Sequence, residues 1–529
     1  MKQQFIDYIR RLDIFCEEID ADFSDSAFAY DYNEVQELYF DETQNNFVFL
    51  AGECGLRKKD MLARICKDLL LRGIEKEDIL YLNYELPILH GEDVVQLISD
   101  FYSARAASEA LYLIINEIQE CGDWFATVTE VRKKYPKIKL LSASSTPPYI
   151  YEKIYDEGCE WCKIVVLSKK NASNIKYESQ TFGVFEEFKY NQKGDVIEIK
   201  GMTREGKKMS HHAVPKTING KTVKIIASGA FHDRSEMLSI DLPNTIEMIG
   251  DYAFSKCCNL AEIRLPKNLT YIGDHSFLGA TKLAKIIGGD LVTHIGNSAF
   301  YKTPWLENQE DFAVIGKTLY KYKGDNRTVF LPKEISNLAS YAFADSGVER
   351  VKAVQRVSLG EGVFYRCKNL HEIAIDIDNI PPYCFYDCVK LKTQFSVEDI
   401  GKFGLYNCRN VKSISAKNIG ICALAYGKKL EHVYGVDKLL DGALFSCENL
   451  EGLDFNTLDT IERFALAKTG LKSIKFAGSY IGDFALYQIP KLCCVKIHYK
   501  TRVGRSVLLD SVSVRTMTIS GEYKLTSYF

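Results

Sequence analysis

Apolar and polar positions follow two different rules along this chain. Up to about residue 170, compact apolar runs alternate with stretches of helical spacing. Residues 47–51 (FVFLA), 79–83 (ILYLN), 111–115 (LYLII), 138–142 and 163–167 read as strands. Residues 60–72, 92–103 and 123–134 carry apolar positions at helical intervals. Strand–helix alternation predicts an α/β domain with a parallel sheet covered on both faces. From about residue 190 the helix-length segments stop, and short apolar runs are punctuated by Gly, Asn, Asp and Pro.

The second region is periodic. Ile249-Gly-Asp-Tyr-Ala-Phe254 returns as Ile272-Gly-Asp-His-Ser-Phe277 and Ile295-Gly-Asn-Ser-Ala-Phe300. Anchor residues run from Phe231 through Phe254, Phe277 and Phe300, resume at Phe343, and pass to Leu from Leu405 to Leu486. Neighbouring anchors are 19 to 23 residues apart, except for a gap of 43 between Phe300 and Phe343. One such unit cannot bury its own apolar face, so stacked units share a core and form a solenoid. Its strands are expected at Ile-x-Leu segments, with Ile240 and Leu242 inside. Alternation then turns Ser239 and Asp241 outward, and likewise Glu262, Arg264, Glu372, Ala374, Ser413, Ser415, His432, Tyr434, Asp454, Ser473, Lys475 and Lys496. This face mixes charges, which suits a protein ligand better than a polyanion. Cys257, Cys367, Cys388, Cys408 and Cys447 each follow an anchor by three residues. Ala280, Thr303 and Ser346 hold the same slot elsewhere, so the slot reads as packing rather than metal binding.

These units resemble the BspA-like class of leucine-rich repeats over roughly residues 195–500, on the pattern AFSKCCNLAEIRLP (253–266). The irregular stretch 303–324 also looks like the larger insertion unit found in such arrays. The resemblance implies a β-rich solenoid that binds protein.

In the first region, strand 47–51 runs into Gly52-Glu-Cys-Gly-Leu-Arg-Lys-Lys-Asp60 and then a helix, the position of a phosphate-binding loop. Gly52 and Lys58 have the required spacing. Arg57 stands where Gly is needed and Lys59 where Ser or Thr is needed. The strand ending in Asn116-Glu117 has an amide in place of the metal-holding Asp, and Ser144 lies on a polar strand further on. Residues 30–170 resemble a prokaryotic AAA-type ATPase family that binds ATP and magnesium. The resemblance carries over to Gly52, Lys58, Glu117 and Ser144, whereas Lys59 and Asn116 remove two supports of the metal. The favoured reading is a P-loop-like fold that has lost catalysis. Its alternatives are weak ATP or anion binding without magnesium-dependent turnover, through Lys58, Lys59 and the helix N-terminus, and an active NTPase with unusual ligands. Cys54, in the same loop, reads as an inert thiol.

Composition narrows the partners. The 529-residue chain has a net charge of −3, so nucleic acid is not expected. Its apolar runs fall well short of the roughly 18 residues of a membrane span. Sixteen cysteines without a signal peptide point to reduced thiols in a cytoplasm. Cys159-Glu-Trp-Cys162 lacks a second pair for zinc, and His211-His212 is expected to be solvated in a polar loop. The expected organisation is a degenerate P-loop NTPase-like domain over 1–170, a linker and solenoid cap over 171–226, and the solenoid with its C-terminal cap over 227–529. The expected function is non-catalytic protein recognition or scaffolding, without cofactor or metal. The alternative is a nucleotide-responsive switch or immune-type sensor, in which the first domain binds ATP and the repeats recognise a ligand.

Overall fold

The computed structural model describes residues 26–40, 47–52, 57–103, 111–159, 161–167 and 180–520. The chain divides into two compact units, Met1–Ser173 and Asn174–Phe529. In the first, the elements run α1 (Ser26–Phe40), β1 (Phe47–Ala51), α2 (Lys58–Leu71), β2 (Ile79–Asn83), α3 (Val94–Ser103), β3 (Tyr112–Asn116), α4 (Trp124–Lys134), β4 (Lys139–Ser144), α5 (Pro147–Glu157) and β5 (Cys162–Val166). All strand pairs are parallel, in the order β2-β3-β4-β1-β5. The apolar run of β1 is buried at every position, as a central parallel strand requires. Helix α2 buries Met61, Leu62, Ile65, Cys66 and Leu69, one apolar stripe at helical spacing. It ends at Gly73, whose φ of 84° lets Ile74 N–H return to Leu69 O. No described helix is long and apolar enough to cross a membrane.

The second unit opens with an antiparallel meander, β6 (Gln180–Phe185), β7 (Phe188–Lys193) and β8 (Val196–Met202). Strand β8 pairs in parallel with Lys221–Ile226, and the repeats follow. Most coils contribute two short strands, as the second repeat shows. Glu262–Arg264 lies on the expected Ile-x-Leu segment and pairs with Lys285–Ile287. Tyr271–Ile272, just before the Gly-Asp dipeptide, joins a second parallel ladder with Met248–Ile249 and His294–Ile295. The sequence expectation located only the first ladder.

Turns around each anchor add a third set of links. Residues two before and two after an anchor take positive φ, as at Tyr252 (54°) and Lys256 (57°) around Phe254. The N–H groups of Tyr252, Phe254 and Lys256 reach Asp274, Ser276 and Leu278 carbonyls of the next coil, while Ala253, Ser255 and Cys257 bond back within their own turn. Asp251 Oδ1 accepts from Asp274 N–H at 2.8 Å, and a Cβ at Gly273 would lie 2.4 Å from that oxygen, so this coil needs Gly at 273. Phe231, Phe254, Phe277 and Phe300 form a column with centroids 5.1–5.2 Å apart.

The 43-residue gap holds a further coil. A hairpin, Phe312–Ile315 with Thr318–Tyr322, brings Tyr322 into the anchor slot. Its ring stacks on Phe343 at 4.8 Å, and its N–H reaches Ala342 O as an anchor's does. Beyond the expected last anchor, Leu508 closes one more turn, with positive φ at Ser506 and Asp510. The second ladder is interrupted twice inside the array, between His294–Ile295 and the hairpin, and again after Ser358–Leu359. Gly360 N–H bonds Leu338 O, but the equivalent residue one coil later is Pro381, which has no N–H. There the ion pair Arg356–Asp378 spans the break, beside an open groove of about 470 Å³.

Candidate functional site

In the first unit, the C-terminal ends of β1, β3 and β4 converge on one edge of the sheet, where open α/β sheets bind ligands. Gly52 N–H bonds Ser144 O at 3.3 Å, tying β1 to β4. Lys58 is buried and its Nζ donates to Gly52 O at 2.7 Å. Arg57, at the N-cap of α2, has φ 44°, so the fold imposes here the left-handed backbone that Gly would adopt without strain. Its Nε is held by Asp60 at 2.8 Å. Lys59 lies 4.0 Å from the carboxylate of Glu85.

The acid and amide of β3 are engaged inside the protein. Asn116 Nδ2 donates to Asn83 Oδ1 at 2.9 Å. Glu117 is buried at φ 59°, and Ser145 holds its carboxylate twice: Oγ to Oε1 at 2.7 Å and N–H to Oε2 at 3.0 Å. Gln119 Nε2 adds a third bond at 2.6 Å. Ser144 Oγ accepts from Thr146 N–H at 3.1 Å. Gly52, Lys58, Asn116, Glu117 and Ser144 therefore share one edge, as the motif spacing implies. Ser145, Asn83 and Glu85 are members that the sequence reading missed, although the doubled serine after an apolar strand and the Asn closing β2 mark two of them.

Magnesium prefers near-octahedral oxygen ligands. Among the described residues, this edge offers two ammonium groups, an amide bonded to another amide, the Glu117 carboxylate with both oxygens hydrogen-bonded, and the Glu85 carboxylate beside Lys59. With a cation beside Glu85 and both oxygens of Glu117 engaged, the described residues do not fit the ion. Among the described residues no group of three or more His, Cys, Asp or Glu is arranged to hold a metal.

On the solenoid, the first-ladder strands present the expected outer row. Asp241, Glu262, Arg264, Tyr434, Lys475 and Lys496 are exposed, and Glu372, Ser415, His432 and Asp454 are half-buried; none is buried. The register adds Lys285, Lys352 and Phe330, the last 70% exposed, in coils the sequence reading skipped. Two acids on this row are matched to adjoining coils: Glu262 to Lys285 at 2.8 Å, and Glu372 to Arg350 and Lys352 at 3.1 and 3.2 Å. Side-chain bonds at the coil interval thus pre-order the row.

The slot cysteines have a defined structural role. Each thiol donates to the anchor carbonyl of the preceding coil, Cys257 to Phe231 at 3.1 Å and Cys367 to Phe343 at 3.0 Å. Burial pushes the thiols of Cys257, Cys367 and Cys447 up to about 12. Burial also raises Cys159 and Cys162, so neither tends toward the reactive thiolate, and Cys162 opens β5 as expected for a motif preceding a strand. Cys54 lies outside the described residues. The expectation for His212 requires correction. His211–Ala213 is a strand paired with Ser239–Asp241, which leaves His211 exposed but buries His212, with Nδ1 at 3.0 Å from Glu187 and Nε2 at 3.1 Å from Met209 O.

Comparison with known families agrees with this division. Residues 44–160 match the model of an AAA domain. Residues 210–313, 313–422, 391–493 and 426–528 match the BspA type leucine rich repeat region. Similar solved structures include a leucine-rich repeat protein from Bacteroides ovatus, at 19% identity over 64% of this chain and 93% of that one, TM-score 0.33. Another is a leucine rich cell surface protein from Faecalibacterium prausnitzii, at 16% identity over 65% and 96%, TM-score 0.28. A third is the pneumococcal vaccine antigen PcpA, at 18% identity over 65% and 99%, TM-score 0.26. Comparison with curated proteins gives no match. With the repeat model matched across more than half of its length, the chain belongs to the BspA-type leucine-rich-repeat family and carries an AAA domain ahead of the repeats.

Proposed function

We propose that this is a non-catalytic recognition or scaffold protein of the cytoplasm, which binds a protein ligand on the outer row of the first strand ladder. The observation that carries the reading is that row itself: chemically varied, accessible side chains repeated coil by coil over an apolar core, with cross-coil ion pairs holding several of them in place. Extended repeat surfaces bind in this way without a single pocket. The AAA domain serves as a supporting fold that takes no cofactor, or at most binds ATP weakly without magnesium-dependent turnover. Internal engagement of Asn116 and Glu117, and a cation at Lys59, support that assignment. Free thiols throughout the described residues support the reducing compartment.

The test is affinity capture from native lysate with the full chain, beside a variant carrying Arg264→Glu, Glu372→Lys and Lys475→Glu. Loss of the captured protein in the variant, with an unchanged melting temperature, is expected. Equal capture by both would remove the strand row as the site. Subcellular fractionation tests the compartment.

A further inference from the structure

The last strand of the first ladder has a side that no described strand covers. Thr516–Ser520 pairs with Cys494–His498, placing Met517 beside Val495 and Ile519 beside Ile497. Val495 and Ile497 are buried, yet Met517 and Ile519, in the same inward row, are 36% and 44% exposed. Thr516 N–H donates to Cys493 O. Alternation along a parallel strand then aims the N–H and C=O groups of Met517 and Ile519 away from the ladder, toward the open edge.

Charge is concentrated at the same end. Residues 468–520 carry nine Lys and Arg against two acids, Asp483 and Asp510, in a chain whose net charge is −3. Both acids are engaged, Asp483 by Arg505 N–H at 2.6 Å and Asp510 by Gln488 at 3.4 Å. Lys475 and Lys496 are in register on adjacent strands and exposed, and the same row continues to Thr518. Arg515 stands exposed just before the edge strand.

We propose that this edge receives an extended acidic segment of a partner protein, in which Asp or Glu alternates with apolar residues, added as the next strand. Its backbone would complete the outward N–H and C=O groups of Met517 and Ile519. Its apolar side chains would cover the exposed inward row. Its carboxylates would fall in line with Thr518, Lys496 and Lys475, near Arg515. A second copy of this chain would bring the same basic row against itself. An anionic lipid surface would use the charge but leave the strand edge unsatisfied. The inference rests on the reading that the chain recognises protein; its site shares Lys475 and Lys496 with the outer row and adds the strand edge beyond them.

The test uses the full chain and two labelled synthetic peptides of about eight residues, one alternating Glu with Val and one alternating Lys with Val. Anisotropy should report binding of the acidic peptide only, weakening as salt rises. Lys496→Glu with Arg515→Glu should reduce that affinity by about tenfold or more. Ile519→Pro, which removes an outward N–H and leaves the ladder bonds intact, should reduce it comparably. A variant carrying only Arg264→Glu and Glu372→Lys should retain the peptide affinity, because Lys475, Lys496, Arg515 and the strand edge are untouched. Peptide binding without capture on the outer row would leave this inference standing while the proposed function fell. Absence of acidic-peptide binding, equal binding by the Lys496/Arg515 variant, or preferential binding to phosphatidylserine vesicles would overturn it. So would hydrogen exchange showing the Met517 and Ile519 amides protected before peptide is added, because the edge would then already be occupied.

Discussion

The thiol of Cys388 donates to the carbonyl oxygen of Phe364 in the preceding coil, 3.1 Å away. That oxygen also accepts from Cys367 N–H, so one anchor carbonyl ties together its own turn and the next coil. Ser511 makes the same contact to Leu486 O at 2.6 Å, so a hydroxyl can take the place of the thiol in this slot. Cys388→Ser should therefore be tolerated better than Cys388→Val, which loses the donor and should cost about 1–2 kcal/mol. Urea denaturation of the two variants measures the difference. A thiol reagent should find the slot cysteines unreactive in the folded chain and all sixteen accessible once it is denatured. A chelator should leave the melting temperature unchanged.

His275 is fully buried and stacks on Tyr252 with centroids 4.8 Å apart. Burial pushes its pKa down to about 3. In the unfolded chain it takes up a proton near pH 6.5 while the folded chain does not. Its contribution to stability is therefore complete above about pH 6.5 and lost as pH falls, by about 1.4 kcal/mol per unit down to roughly pH 3. Tyr stands at the equivalent position as Tyr252 and Tyr341, so His275→Tyr should fold and remove this dependence. Subtracting the two urea-midpoint profiles across pH 4–7 isolates the effect from the carboxylates. Parallel profiles would show that His275 does not titrate on unfolding.

Tyr322 joins the coils before and after the hairpin. Tyr320, two residues earlier on the same strand, meets Phe300 edge-on at 5.4 Å, while Tyr322 stacks on Phe343. Each closes the end of one phenylalanine column. Tyr322→Ala should cost about 3–5 kcal/mol through the cavity it leaves. Tyr322→Phe keeps the stack and loses only the hydroxyl that accepts from Asn326 N–H at 3.1 Å, at about 1 kcal/mol. Equal losses in the two variants would show that the ring is not the stabilising element.

Features repeated in every coil were legible in the sequence, because the same constraint recurs at each anchor. The second ladder was not, since a two-residue strand such as Tyr271–Ile272 is too short to show alternation. Tyr322 escaped because the hairpin displaces the residues before it and a hydroxylated ring replaces Phe. Leu508 follows Gly504 at the interval seen from Gly250 to Phe254, but with Arg, Ser and Val in between. The burial of His212 depends on Glu187, 25 residues away, and the engagement of Glu117 on Ser145, 28 residues away. No local pattern encodes either contact. The phosphate-loop edge was legible as a location, because motif spacing fixes which strand ends meet. What its side chains bond to is a property of the packed sheet.

That engagement gives the most discriminating test of the first unit. Ser145 donates twice to Glu117, and a carboxylate accepts both bonds where an amide can accept only on one side. Glu117→Gln should therefore destabilise the domain by about 1–3 kcal/mol, an effect on structure rather than on turnover. Lys58→Ala should weaken any nucleotide binding, because Lys58 is the buried cation at the edge, bonded to Gly52 O at 2.7 Å. ATP turnover by the unmodified chain should stay at background with and without magnesium. Weak binding that is insensitive to magnesium and removed by Lys58→Ala would identify a ligand-binding domain without turnover. Magnesium-dependent hydrolysis abolished by both substitutions would instead require Glu117 to leave Ser145 during the reaction. It would establish the nucleotide-responsive switch in place of the scaffold.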